Sequence, residues 1–345
     1  MKSTAPLLSS FGRQHGKVGG AGMKHPRKFY LGIDLGGINI GIGIVDDEGK
    51  LCKFTSVLTE IDPGPEHVVQ QIGEAAVNLM DGFEGGVSLA GMGAPGPLDT
   101  STGLVLEMPN FGWENVELGR MMEDELGIKT FIDNDANAAA FGEWWVGAGI
   151  GARTLVCFTL GTGVGGGIVL NGDVFRGASD AAAEFGHIIV QPNGRKCGCG
   201  KTGCLEAYAS ATAIAARARA LAETGESAPL LELAGGDVSR ITSELVSKAA
   251  RGGDWLSCGI MEEAGRYLAI GISNVMNTLN PDVIVIGGGV AAAGDLIFVP
   301  LKKLVRELTF DILNRSVRIV PAKLGIEAGT VGAAGIARKR GELSC

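Results

Sequence analysis

The chain has 345 residues, 46% hydrophobic and 20% charged, enough to bury a full core and to divide into two units. Its 30 basic and 38 acidic side chains leave a net charge of -8, which gives no electrostatic footprint for nucleic acid. No uninterrupted apolar run reaches the roughly 18 residues of a membrane span, so a soluble, cytoplasmic protein with no membrane or nucleic-acid partner is expected.

Residues 1–28 carry Lys2, Arg13, Lys17, Lys24, Arg27 and Lys28, no acid, and only the short apolar stretch Ala5-Pro6-Leu7-Leu8, too little for a signal-peptide centre. They read as a disordered tail, with Met23 an alternative start. Residues 29–34 then read as a strand, Leu35-Gly36-Gly37 as a turn, 40–45 as a second strand, and Asp47-Glu48-Gly49 as a turn into a third. A helix is expected over 66–80, a loop at Gly91-Met-Gly-Ala-Pro-Gly-Pro97, and a helix starting near Asn134.

The opening pattern then returns. Residues 154–160 read as a strand, Gly161-Thr162-Gly163 as a turn, 165–170 as a strand and Asn171-Gly172-Asp173 as another turn. Position 35 aligns on position 160, an offset of 125 residues, so the sequence carries a duplicated β-meander and predicts two lobes facing each other across a cleft. Long helices follow over 205–223 and 256–277, the second stopped by Asn280-Pro281. A strand over 282–286 runs into Gly287-Gly288-Gly289 and a further helix, and 328–340 reads as the last helix. The expected organisation is a small lobe over 29–133 and a larger one over 134–327. The C-terminal helical segment, 328–345, packs back on the first lobe.

Glycine is over-represented, at 56 residues, roughly twice the usual share. A phosphate is met by backbone N–H groups, and only glycine lets a tight turn approach it without a side chain in the way. Asp34-Leu-Gly36-Gly37 and Gly161-Thr162-Gly163-Val-Gly165 have that form; either alone is more often a plain hairpin, but both at equivalent places in a duplicated unit favour the phosphate cradle. Neither is a Walker A loop, since no Gly-Lys-Ser/Thr follows. Gly288 closes a strand where a flat ring could rest on bare backbone, or where a helix start simply packs closely.

Ile132-Asp133-Asn134-Asp135-Ala136-Asn137 ends an apolar stretch and begins a helix. Helix capping accounts for some of these polar residues, but transfer to an alcohol also needs a carboxylate to take the hydroxyl proton. Asp135 is the candidate base. His187, Cys197, Cys199 and Cys204 fall within eighteen positions, and one imidazole with three thiolates makes a closed tetrahedral set typical of structural zinc. A local disulfide is the alternative. Glu184 and Glu206 flank this cluster, on loops the metal would fix.

Together these segments resemble the ROK family, which groups bacterial sugar kinases with sugar-responsive repressors. The likeness rests on Gly186-His187-Ile-Ile-Val-Gln-Pro192 and Cys197-Gly-Cys-Gly-Lys-Thr-Gly-Cys-Leu-Glu206. It extends through Pro109-Asn110, Asn134-Asp135-Ala-Asn137 and the glycine turns, over about residues 29–340. The resemblance implies the duplicated actin-like, ribonuclease-H-like ATPase fold, ATP and magnesium in the cleft, and a homodimer. It places Asn134, Asp135, Glu184, His187 and Glu206 on the sugar hydroxyls, with Asn110 as a further candidate. His187 then serves twice, one ring nitrogen on zinc and the other toward the sugar. Glucose is the first expected substrate, followed by N-acetylmannosamine or N-acetylglucosamine, then fructose or allose.

One position departs from the family pattern. The first phosphate loop usually reads Asp-Ile-Gly-Gly-Thr-Lys, and here Ile38-Asn39 follows the glycines, so a hydroxyl is missing and Asn39 is the substitute on offer. The family's repressors add an N-terminal helix-turn-helix, which the first 28 residues are too short and too rich in glycine and proline to supply. A non-catalytic sugar sensor is the reading that Ile38 keeps open.

Overall fold

The computed structural model describes residues 27–223 and 228–343. The expected tail and the alternative start at Met23 fall almost wholly outside them.

The first unit opens with β1 (Phe29–Leu35), β2 (Asn39–Asp46) and β3 (Leu51–Leu58), an antiparallel meander. α1 (Pro65–Met80) leads to β4 (Val87–Ala94), which pairs parallel to β1. Gly91 to Ala94, expected in a loop, therefore belong to a strand. Parallel pairing beside β1 buries them, and the turn is confined to the residues after Ala94. A small antiparallel sheet, β5 (Leu98–Asp99), β6 (Leu104–Met108) and β7 (Trp113–Val116), and α2 (Leu118–Leu126) precede β8 (Thr130–Asn134). None of these is marked by the turns read from sequence.

After α3 (Asp135–Trp145) the second unit repeats the scheme with β9 (Thr154–Leu160), β10 (Val164–Leu170) and β11 (Asp173–Val174). The expected helix over 205–223 is broken into α4 (Glu206–Ala209) and α5 (Ala211–Ala222). Ser210 is extended there, and its hydroxyl accepts from Ala213 N–H as a new N-cap. α6 (Ala228–Leu233) and α7 (Ser243–Arg251) lead to α8 (Trp255–Leu279), which Asn280 stops in a left-handed conformation before Pro281. β12 (Val283–Gly287), α9 (Asp295–Leu308), α10 (Asp311–Ser316), β13 (Arg318–Pro321) and α11 (Ala328–Leu343) complete the chain.

The two large sheets have the strand orders β3-β2-β1-β4-β8 and β11-β10-β9-β12-β13. In each, a hairpin supplies the antiparallel half and crossovers add two parallel strands, so the duplication read from local turns holds at the level of topology. The two largest buried hydrophobic clusters each lie within one unit, and smaller ones gather around α3 and α11.

α3 and α11 pack along one another; α11 lies on β1 and β4, and α3 on β9 and β10. Their close approach requires glycine. A Cβ at Gly91 would sit 1.9 Å from the Ala333 carbonyl oxygen, and one at Gly332 would sit 1.7 Å from that of Ala138.

Candidate active site

Each glycine turn sits at the end of the first strand of its meander. In the first, Gly36 N–H donates to the Asn39 carbonyl at 3.0 Å. Thr59, just past β3, donates its hydroxyl to the Gly36 carbonyl at 2.7 Å and its N–H to that of Ile38 at 2.9 Å. In the second, Gly161 N–H donates to the Gly163 carbonyl, Ala211 N–H to the Gly161 carbonyl at 2.8 Å, and the Thr212 hydroxyl to the Thr162 carbonyl at 2.8 Å. Gly36 and Gly161 N–H are thus spent inside their own turns, and the N–H groups of Gly37, Ile38, Thr162 and Gly163, which have no backbone acceptor among the described residues, are the ones to offer to an anion.

Gly288 has φ +87° and abuts the second turn. A Cβ there would lie 2.4 Å from the Leu160 carbonyl oxygen. Gly165 lies within β10 beneath α3, where a Cβ would come 3.1 Å from that of Ala136. Ile38 is exposed, and Asn39 contributes its main chain to the turn. Thr59 is the residue the sequence reading missed, because its link to the turn is formed across strands and leaves no local signal.

α3 begins at the end of β8, and its cap is Asn134. The Asn134 side-chain oxygen accepts from the N–H groups of Ala136 and Asn137 at 2.9 and 3.3 Å. Asp133 supports it from behind, its Oδ1 accepting from Asn134 N–H at 2.9 Å and from Asn137 Nδ2 at 3.0 Å. Capping is thus accounted for without Asp135, whose Oδ1 accepts from Ala136 N–H at 2.8 Å.

Burial raises the Asp135 pKa, and the nearby Glu184 charge adds to the effect, opposed by the Ala136 N–H bond. Burial, reinforced by the charge of Asp135, pushes Asp34 up to about 7. The two meet because Gly93 has no side chain: a Cβ there would lie 3.2 Å from Asp135 Cα and 3.8 Å from Asp34 Oδ1. Asp34 and Asp135 therefore form a close pair of carboxylates, with the charge of Glu184 reaching Asp135 from the other side. Hard oxygen donors of this kind suit magnesium.

Glu184 precedes a single helical turn, Phe185–His187, that leads into the cysteine loop. Bridges pair Ile189 with Cys204 and Lys196 with Thr202, folding the loop back on itself. One ligand atom from each of His187, Cys197, Cys199 and Cys204 lies within 4.8 Å of all the others. Cys199 Sγ is 3.7 Å from Cys204 Sγ, and Cys197 Sγ is 3.8 Å from His187 Nδ1. Tetrahedral zinc with Zn–S bonds of about 2.3 Å spaces its sulfurs by about 3.8 Å, so the donor set fits that ion, and no disulfide joins the cysteines. Nδ1 faces the thiolates, which leaves Nε2 as the nitrogen for a ligand.

Glu206 joins this loop to the second glycine turn. Its Oε2 accepts from Val164 N–H at 3.0 Å, its Oε1 lies 3.5 Å from Cys197 Sγ, and a Cβ on Gly163 would lie 2.5 Å from Oε2. Asn110 stands apart, exposed in the turn between β6 and β7, with no side-chain hydrogen bond to another described residue.

Two glycine turns, a carboxylate cluster and a Cys₃His loop thus lie in one duplicated α/β framework, and the ROK family model matches residues 30–340. The chain belongs to the ROK family. Its fold is the actin-like, ribonuclease-H-like ATPase fold.

Among ROK relatives, the chain is 37% identical to a glucokinase from Thermotoga maritima, the match covering 91% of this chain and 99% of that one. It superposes with TM-score 0.80 and 38% identity on a ROK family glucokinase from Streptomyces griseus in complex with glucose and AMPPNP, covering 90% and 99% of the two chains. It is also 28% identical to a xylose repressor from Caldicellulosiruptor bescii, over 88% of this chain and 76% of that protein.

Proposed function

We propose that this ROK protein is an ATP-dependent hexose kinase whose preferred acceptor is glucose. The observation that carries the reading is Asp135, released from capping by Asn134 and brought to Asp34 across Gly93 at the start of α3. The likeness to glucokinases, one of them in complex with glucose and the ATP analogue AMPPNP, supports the choice of substrates.

In this reading Asn134, Glu184, Glu206 and His187 Nε2 orient the sugar hydroxyls. Asp135 accepts the proton of the hydroxyl on C6 as that oxygen bonds to the γ-phosphorus of ATP and the bond from that phosphorus to the β–γ bridging oxygen breaks, releasing ADP; its raised pKa makes it a better base than a solvated carboxylate. The N–H groups of the two glycine turns receive the phosphates, and Gly288 lies under the nucleoside. Magnesium, when bound near Asp34, supplies charge neutralisation for the transferring group. Zinc on His187, Cys197, Cys199 and Cys204 holds the loop carrying the sugar contacts. The same reading includes a division into units near residue 134, a cytoplasmic homodimer, and Asn110 as a sugar contact on closure.

A coupled assay across glucose, mannose, fructose, allose, N-acetylglucosamine and N-acetylmannosamine should give glucose the highest kcat/KM. A preference for an acetylated sugar would remove the assignment to glucose and keep the kinase; no turnover of any sugar would remove both.

A second expectation concerns the first turn. Thr59→Val deletes the hydroxyl that engages the Gly36 carbonyl, so KM for ATP should rise by about tenfold, the worth of one good hydrogen bond. Thr59→Ser should restore it, with KM for glucose unmoved in both. Steady-state kinetics with ATP as the varied substrate decides it, and an unchanged KM in the valine variant would exclude the role.

A further inference from the structure

The carboxylate Asp133 belongs to neither the base nor the sugar contacts, yet it is buried and paired with an arginine from the other unit. Its Oδ2 accepts from both Nε, at 2.9 Å, and Nη2 of Arg176, and Arg176 Nη1 donates to the Val174 carbonyl. The pair is 1% and 23% exposed, so it is shielded from water and held in a two-pronged geometry. The Oδ1 of the same carboxylate organises Asn134 and Asn137, the first turn of α3, and so fixes the main chain on which Asp135 sits.

Arg176 opens the segment that ends at Glu184. Its carbonyl accepts from Ala182 N–H at 3.0 Å, closing the loop on itself. Asp180 Oδ2 accepts from Thr100 N–H at 2.8 Å, and the Thr100 carbonyl accepts from Arg340 Nη2 at 2.8 Å, a second tie to the first unit. Between these ties Asp180 and Ala183 have φ of +55° and +66°, a left-handed conformation that alanine in particular disfavours. Such a backbone persists only where its surroundings over-determine it. Ala183 immediately precedes Glu184, and its carbonyl is pressed toward Gly166, where a Cβ would come within 2.6 Å.

We infer that Arg176 is a positioning residue for phosphoryl transfer: through Asp133 it ties the Glu184 loop to the start of α3, and so sets the sugar-holding Glu184 against the base Asp135. The inference rests on the hexose-kinase reading for its functional part only. Its structural part, that the guanidinium fork holds residues 177–184, is independent of what the protein binds.

The test is Arg176→Lys, which keeps the charge opposite Asp133 but loses the fork. KM for glucose should rise about tenfold and kcat fall severalfold, while KM for ATP stays within about twofold. In the ligand-free protein, amides of 177–184 should exchange with deuterium at least about tenfold faster than in the unmodified chain. An unchanged glucose KM, or a proportional rise in both KM values, would overturn the functional part, and unchanged exchange would overturn the whole. If Arg176→Lys does not fold, Asp180→Asn, which removes the charge from the Thr100 tie and keeps a residue suited to the left-handed conformation, carries the same signature at about threefold. An unmodified protein that neither binds nor phosphorylates glucose defeats the kinase reading, and the exchange measurement still decides whether Arg176 holds the loop.

Discussion

Turnover by an Asp135→Asn variant falls by about two to four powers of ten, the usual worth of general-base help, while KM for glucose moves by less than about threefold. Asparagine keeps the shape and can still accept from Ala136 N–H, but it cannot take a proton. The helix does not suffer, because Asn134 is the cap.

The electrostatics give this experiment an internal control. The folded state raises the Asp135 pKa above its unfolded value. The ionised form is therefore penalised by folding; the penalty is absent below the unfolded pKa and grows as pH rises toward the folded one. A neutral amide escapes it, so the variant should unfold at the same temperature as the parent or higher at neutral pH. Rapid-quench kinetics with thermal unfolding on the same samples checks both halves. Full activity would exclude Asp135 as the base, and lost activity with a lowered melting temperature would trace the loss to damaged structure.

Removal of the metal should have the next largest effect. Purified protein is expected to hold one zinc per chain, and Cys199→Ser to lose it, since three ligands do not make a closed tetrahedral set. Glucose affinity should fall by about ten- to a hundredfold in the same variant, the range seen when the support of a metal-organised group is lost. The route is short: His187 Nδ1 faces the thiolates, and Glu206 lies between Cys197 and the Val164 N–H beside the second glycine turn. Elemental analysis paired with calorimetric titration of glucose tests it. Well under one zinc per chain would refute the site, and loss of zinc with unaltered glucose binding would refute the coupling.

The features legible in the sequence are those that local chemistry encodes. The two meanders could be aligned at position 35 on position 160 because each strand ends in a glycine turn, and the shared strand order followed. The Cys₃His set was legible because its ligands lie close in the chain with glycines between them. The break at Ser210 was not, since Ala and Arg around it favour helix. The main chain turns there because Ala211 N–H is drawn to the Gly161 carbonyl of the glycine turn. Thr59 and Arg176 were invisible for the same reason. Thr59 is 23 residues from Gly36, and Arg176 is 43 from Asp133, so each acquires its role only when tertiary contact is made.

The last helix has a consequence for how the molecule is assembled. α11 covers β1 and β4, with Gly91 admitting it against the strand, yet it begins nearly three hundred residues after β1 ends. During synthesis the N-terminal sheet emerges well before this helical cover, so its glycine-rich face, the one opposite the face that packs with α1 and α2, stays bare until α11 has been made. Contacts of such long sequence separation are slow to form and leave surface open to aggregation meanwhile. The second unit, whose β9 to β13 and α4 to α10 are contiguous in the chain, can gather its core earlier and serve as the platform on which the first is finished.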